Sequence, residues 1–153
     1  MKKRRRSSAN FRRDGNWHRR GYSMKCLDTD FLVAVLRGQP EAREKMRELD
    51  SEGRHATTTV NCFELFYGAF MSREKRSNVE RVENLLQRLE ILTFELEASR
   101  RAGEALATLS AKGEAVDFRD AMVAAVAGSR NLPLVSRNRQ HFSRFKGLKL
   151  EQW

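Results

Sequence analysis

From Met24 onward, short apolar or β-branched runs alternate with longer stretches patterned at the helical period, and this alternation constrains the fold more than any single residue. Residues 25–27 form a brief strand candidate. Residues 29–37 follow as a helix closed by Gly38, and 41–52 as a charged helix with Met46 and Leu49 inward, closed by Gly53. Residues 55–59 are rich in β-branched side chains and read as a strand. Residues 60–71 form a strong helix, with Phe63, Phe66, Tyr67 and Phe70 at i, i+3, i+4 and i+7, the stripe of a buried helix. Residues 77–90 form another, striped by Val79, Val82, Leu86 and Leu89. A strand at 91–94 precedes a helix at 97–112 with Ala102, Ala105, Leu106 and Leu109 toward the core, ended by Gly113. An apolar helix at 118–127 ends at Gly128, and 134–136 and 148–151 are the last strands.

Strands separated by helices require crossover connections, which give a mostly parallel sheet covered on both faces, a three-layer α/β/α fold. In such sheets ligands collect outside the carboxyl ends of the strands, where strand order reverses. Function is therefore expected at strand-to-helix junctions.

A chain of 153 residues suits one domain. Hydrophobic residues at 40% exclude a wholly disordered chain, and 2 Pro with 9 Gly exclude a collagen-like or linker-dominated one. Cys26 and Cys62 cannot build a disulfide framework or a four-cysteine zinc site, and both sit in core-facing patterns as inert packing residues. The longest apolar run, residues 121–127, is too short to span a bilayer, so no membrane contact and a cytoplasmic location are expected.

The net charge of +10 is unevenly spread. Residues 1–23 carry nine basic residues against Asp14 alone, or +8, and residues 24–153 only +2. The segment lacks the apolar stretch of a secretory signal and is read as an arm that is disordered when alone. Two readings stay open. Its arginines, with Phe11 and Trp17, suit phosphate neutralisation and base stacking. Alternatively, the segment is a solvated tail or an extension upstream of a start at Met24; the regular pattern opening at Met24 favours this second reading.

Three junctions carry carboxylates. Asp28 follows the first strand, Glu64 lies in the first turn after the second, and Asp120 lies in the first turn of the apolar helix. Glu64 is the sole charge between residues 60 and 71, and an unpaired buried carboxylate costs several kcal/mol. Three converging carboxylates repel one another unless a cation lies between them, and a hard divalent ion with oxygen ligands, Mg²⁺ or Mn²⁺, meets that need. The competing explanation is helix capping: Asp28 before the helix at Thr29, Asn61 with Glu64 as a capping box, Asp117 with Asp120 at the same spacing.

Four segments carry a resemblance: Leu27-Asp28-Thr29-Asp30-Phe31-Leu32; Glu64-Leu65-Phe66-Tyr67-Gly68-Ala69; Asp120-Ala121-Met122-Val123-Ala124-Ala125-Val126-Ala127; and Leu134-Val135-Ser136-Arg137-Asn138-Arg139-Gln140-His141-Phe142. In this order they resemble the PIN-domain ribonucleases, most closely the VapC toxins of prokaryotic toxin–antitoxin pairs. The resemblance spans residue 24 to about residue 151 and excludes the arm. It implies a PIN-like α/β/α fold, with Asp28, Glu64 and Asp120 holding Mg²⁺ or Mn²⁺ for hydrolysis of RNA phosphodiesters. The fourth family position, Asp in many members, is Asn138 here, which adds no charge and leaves a second metal open. Asp30 stands where the family often has Asn; it restores a carboxylate or simply favours the helix N-terminus. By the same resemblance Ser136 bonds the acidic cluster, and Arg137 and Arg139 border the site as RNA contacts. His141 has no required role and is expected as a packing or surface residue. Implied partners are RNA, a VapB-like antitoxin whose C-terminal segment blocks the acids, and a second copy of the chain in a homodimer. The aromatic excess at Phe63, Phe66, Tyr67, Phe70 and Met71 suits a groove or dimer face as well as it suits the core.

Two rivals remain. The Asp28-Thr29-Asp30 triplet matches the nucleophile and acid pair of haloacid-dehalogenase-like phosphatases, but the required acidic pair after a later strand is absent at Ser136-Arg137-Asn138. A non-catalytic nucleic-acid-binding module would use the basic arm, with the acids as caps.

Overall fold

The computed structural model describes residues 23–153. Apart from Ser23, the basic arm lies outside the described residues. Five short strands, β1 (Cys26–Leu27), β2 (Ala56–Thr58), β3 (Glu90–Leu92), β4 (Leu134–Val135) and β5 (Leu150–Glu151), form one sheet in the order β3-β2-β1-β4-β5. Every pairing is parallel, with Cys26 opposite both Ala56 and Leu134. The helices between them are α1 (Thr29–Leu36), α2 (Pro40–Glu52), α3 (Thr59–Met71), α4 (Lys75–Leu86), α5 (Leu96–Ala111), α6 (Phe118–Ser129) and α7 (Arg139–Phe142).

Side chains alternate across a strand, so adjacent residues feed opposite cores. Leu27 and Val135 point into a core with Phe31, Leu32, Leu49, Leu65 and Val82 from α1 to α4. Cys26 and Leu134 point the other way, onto Ala102, Leu109, Ala121, Val123 and Phe142 from α5, α6 and α7. The chain steps outward from β1 to β2 and β3 under the first four helices, then returns under α5 and α6 to place β4 on the other side of β1. Strand order reverses between β1 and β4, and that is where a parallel sheet opens a crevice at its carboxyl edge.

Lys25, just before β1, locks the sheet to α2. Its Nζ lies 2.9 Å from Glu52 and 3.0 Å from Glu151, and Lys45 reaches Glu151 at 2.8 Å. Burial alone pulls the Lys25 pKa down, but the two carboxylates outweigh it and raise the pKa.

The three-layer fold stands, but several local expectations change. The 118–127 helix continues through Gly128 to Ser129 and is capped by Arg130, because a glycine can sit inside a helix that packing stabilises. The helix expected at 77–90 starts earlier and stops at Leu86; Leu89 is buried beyond its end. Residues 139–142 form a helix too short to show a period. Cys26 is fully buried, whereas Cys62 is only partly so.

The largest correction concerns α3. Its buried residues are Asn61, Leu65 and Ala69, and Phe66 is only partly buried. Phe63, Tyr67, Phe70 and Met71 face outward, 57–70% exposed, with the Phe63 and Tyr67 rings stacked at 6.1 Å. Leu65→Ala should therefore cost about 2–5 kcal/mol of stability, as expected for a buried leucine, whereas Phe70→Ser should change it by less than about 0.5 kcal/mol. Urea unfolding of both variants checks this assignment of faces.

Candidate active site

The site begins where β1 ends. Asp28 is the N-cap of α1 by position, yet its side chain makes no capping hydrogen bond. It turns instead into the crevice, where it is 7% exposed. Asn61 Nδ2 donates to its Oδ1 at 3.1 Å, and the Ser136 hydroxyl donates to its Oδ2 at 2.8 Å. One donor comes from the helix after β2 and the other from the end of β4, so the switch point is closed around a single carboxylate.

Asn61 can do this because the cap of α3 is not the expected one. Thr58 is the N-cap: its hydroxyl accepts from the Asn61 N–H at 3.1 Å, and Asn61 Oδ1 accepts from the Thr58 N–H at 3.2 Å. The box pairs Thr58 with Asn61, and Glu64 lies beyond it in the second turn, where capping cannot explain a carboxylate. Fully buried Asn61 uses its amide twice more, toward Asp28 and toward the Thr29 hydroxyl at 2.9 Å.

Asp30 sits in the first turn of α1. Its Oδ2 accepts from the Arg137 N–H at 2.8 Å and lies 3.4 Å from the Ser136 hydroxyl. Its Oδ1 is buried and has no hydrogen-bond partner among the described residues. An orphaned carboxylate oxygen is costly where nothing can take its lone pairs.

At the other wall, Asp117 caps α6 through the Arg119 N–H at 2.8 Å, as expected for an N-cap. The same aspartate takes the Arg119 guanidinium in two further bonds at 3.0 and 2.6 Å. Asp120 projects from the same turn to His141 Nδ1 at 3.0 Å. Because a carboxylate only accepts, the shared hydrogen sits on that nitrogen. Asn138 Nδ2 lies 3.0 Å from the same atom. Neither His141 nor Arg119 stood out in the sequence as a site residue; both reach the site through local geometry at the starts of α7 and α6.

The electrostatics run in one direction. The Asp28 pKa is pushed up to about 7, by burial first and then by the Asp30 charge, with Glu64 adding to it. Glu64 is raised by burial, with Arg119 pulling it down and Asp120 and Asp117 pushing it up. Asp120 is also raised by burial, against the His141 bond. Glu64 thus feels Asp28 on one side and Asp120 on the other. No Lys or Arg forms an ion pair with any of these three acids among the described residues. The side chains as they stand do not converge tightly enough for three His, Cys, Asp or Glu groups to ligate one ion, again among the described residues. What the structure brings together directly is Asp28, Asp30, Ser136 and Asn61 on one side, and Asp120, His141 and Asn138 on the other. Arg137 and Arg139 are exposed at the rim.

This chain matches the PIN domain family over residues 25–148. The chain belongs to the PIN-domain family. It is 33% identical over 127 residues to the tRNA(fMet)-specific endonuclease VapC of Salmonella typhimurium, covering 83% of this chain and 96% of that protein. It is 31% identical over 128 residues to ribonuclease VapC2 of Haemophilus influenzae, with the same coverage. Among solved structures it resembles DNA-bound VapBC from Salmonella typhimurium (TM-score 0.78, 33% identity, 86% of this chain and 98% of that one). It also resembles VapBC2 from Rickettsia felis bound to a promoter DNA fragment (TM-score 0.78, 27% identity, 85% and 98%). The PIN-like α/β/α architecture is thereby established, and the phosphatase reading is set aside.

A carboxyl that titrates near 3.8 when unfolded and near 7 when folded keeps an extra proton in the folded state between those values. Asp28 therefore makes stability fall as pH rises from about 4 to about 7, with no further loss above. Asp28→Asn should raise the melting temperature above about pH 7 and bring no gain near about pH 4. Calorimetric melting of both proteins across that range reads the difference.

Proposed function

We propose that this protein is a metal-dependent endoribonuclease, the toxin of a VapBC-type toxin–antitoxin pair. The observation that carries the reading is Asp28: a buried carboxylate at the strand switch point, held by two neutral donors and by no cation among the described residues. A merely structural acid in that position would have a basic partner, and capping explains neither Asp28 nor Glu64. A passive nucleic-acid-binding module has no use for such a cluster.

The donor set fits Mg²⁺ or Mn²⁺. Asp28, Asp30 and Glu64 offer only oxygen ligands, and the buried Asp30 Oδ1 lacks a partner among the described residues. Asp28, Glu64 and Asp120 are the residues we assign to hold the ion, with Asp30 supporting them. When bound, the ion would lower the pKa of a water and offset the charge gathering on the phosphate. Ser136 and Asn61 fix the Asp28 carboxylate so that it need not reorganise during reaction. His141 orients Asp120. Arg119, Arg137 and Arg139 stand where a phosphodiester backbone would meet the rim, and RNA phosphates are the groups they suit.

The partner is a VapB-type antitoxin. A cleft of about 230 Å³ runs beside Glu64 between α1, α3 and α4, lined by Val33, Leu36, Leu65, Ala69 and Val82, and it suits an apolar segment that ends at the acids. The exposed face of Phe63, Tyr67, Phe70 and Met71 is the surface we assign to homodimer formation, since apolar patches of that kind rarely stay bare. No described helix is long and apolar enough to cross a membrane; the cytoplasm is the compartment that fits an RNA substrate.

Purified protein should cut RNA in the presence of Mn²⁺ and stop when chelator is added. Asp120→Asn should lower the rate by about 100-fold or more, the scale of losing a group that stabilises transition-state charge, while its melting temperature stays level or rises. Cleavage that survives chelator, or an Asp120→Asn variant with near-normal rates, would contradict the assignment. Gel shift of RNA without cleavage would return the reading to a binding module.

A further inference from the structure

We infer that Trp153 is a positioning residue that holds Arg137 ready for an RNA backbone phosphate beside the acidic crevice. The inference rests on the ribonuclease reading for its substrate class. Trp153 follows β5 and packs its ring on Phe31 of α1, with centroids 5.2 Å apart. The Arg137 guanidinium lies over the Trp153 indole, with Cζ 3.5 Å from the ring centroid. Arg137 Nε donates to the Trp153 backbone oxygen at 3.3 Å, and the Arg137 N–H donates to Asp30 at 2.8 Å. Arg137 is therefore fixed at three points: its backbone by an acid of the site, its Nε by Trp153, and its guanidinium plane by the ring.

An arginine on an exposed rim normally samples many rotamers and loses that freedom when it grips a phosphate. Stacking on an indole removes most of that loss beforehand, since a guanidinium over an aromatic face is both attracted and flattened. Nη1 and Nη2 make no hydrogen bond among the described residues. They leave a planar two-nitrogen fork facing solvent, the shape that phosphate oxygens accept. Arg137 lies between Ser136, which holds Asp28, and Asn138, which meets the Asp120–His141 pair. The fork therefore stands one residue from both halves of the site. The Trp153 indole N–H is buried without a hydrogen-bond partner among the described residues, so the ring acts here through its surface and not through its polar edge.

The test uses the full-length protein and a short fluorescein-labelled single-stranded RNA, with chelator present so that binding is read apart from cleavage. Trp153→Met, which keeps apolar volume on Phe31 but has no aromatic face, should weaken binding about 2- to 5-fold. Trp153→Phe should restore most of the loss. Arg137→Ala should weaken binding and lower the slope of log K against log salt by about 0.7, the share of one phosphate on a single strand. Adding Trp153→Met to Arg137→Ala should then cost nothing more. Wild-type affinity in Trp153→Met, or a loss that persists in full without Arg137, would overturn the inference. Should Trp153→Met fail to fold, Trp153 emission in Trp17→Phe decides: it should change on RNA addition, and stay constant when Arg137→Ala is added. Emission that ignores saturating RNA counts against the clamp. RNA binding intact but no cleavage with Mn²⁺ would remove only the ribonuclease reading; no RNA binding at all would remove both.

Discussion

The structure turns on a carboxylate kept away from water without a positive partner among the described residues. Asp28 ends the central strand, and its two oxygens are taken by Asn61 and Ser136, both neutral. Burial and the neighbouring Asp30 and Glu64 charges make its ionised form expensive. The fold bears that cost because each donor also serves its own element. Asn61 is half of the α3 cap, and Ser136 accepts from the Asn138 N–H at 3.0 Å to shape the turn into α7. Removing the acid would relieve the fold; removing its donors would loosen two strand ends.

The sheet order explains why these groups meet. Parallel strands put all carboxyl ends on one edge, and a helix that returns to the next strand starts at that edge. So α3 delivers Glu64, α6 delivers Asp120, and the turn after β4 delivers Ser136 and Asn138, although these residues are scattered over most of the domain. The two strands flanking the switch point, β1 and β4, supply the tightest contact, and the two walls of the crevice supply the rest.

Element type and order were legible because apolar periodicity is a local property, and so were the strand-end acids, because topology decides which edge they share. Sidedness was less legible. The stripe at Phe63, Phe66, Tyr67 and Phe70 defines a face of α3, but periodicity does not say whether that face meets the sheet or solvent. The opposite row, Asn61, Leu65 and Ala69, is the one that packs. The α3 cap was misread because Asn61 suits two box positions, and only the backbone shows that Thr58 leads. His141 was read as a surface or packing residue. Its ring is about half exposed, but it also bonds Asp120, an approach set by a four-residue helix that leaves no pattern in the chain. The Trp153–Arg137 stack joins residues sixteen apart through α7 and β5, beyond any spacing rule.

Crystals soaked in Mn²⁺ test the central claim most directly, through anomalous diffraction at the manganese edge. The account predicts a peak in the crevice within ligand distance of Asp28, with Glu64 and Asp120 turned toward it directly or through water. A crevice without a peak while manganese binds elsewhere, or a lysine or arginine swung in to pair with Asp28, would contradict it.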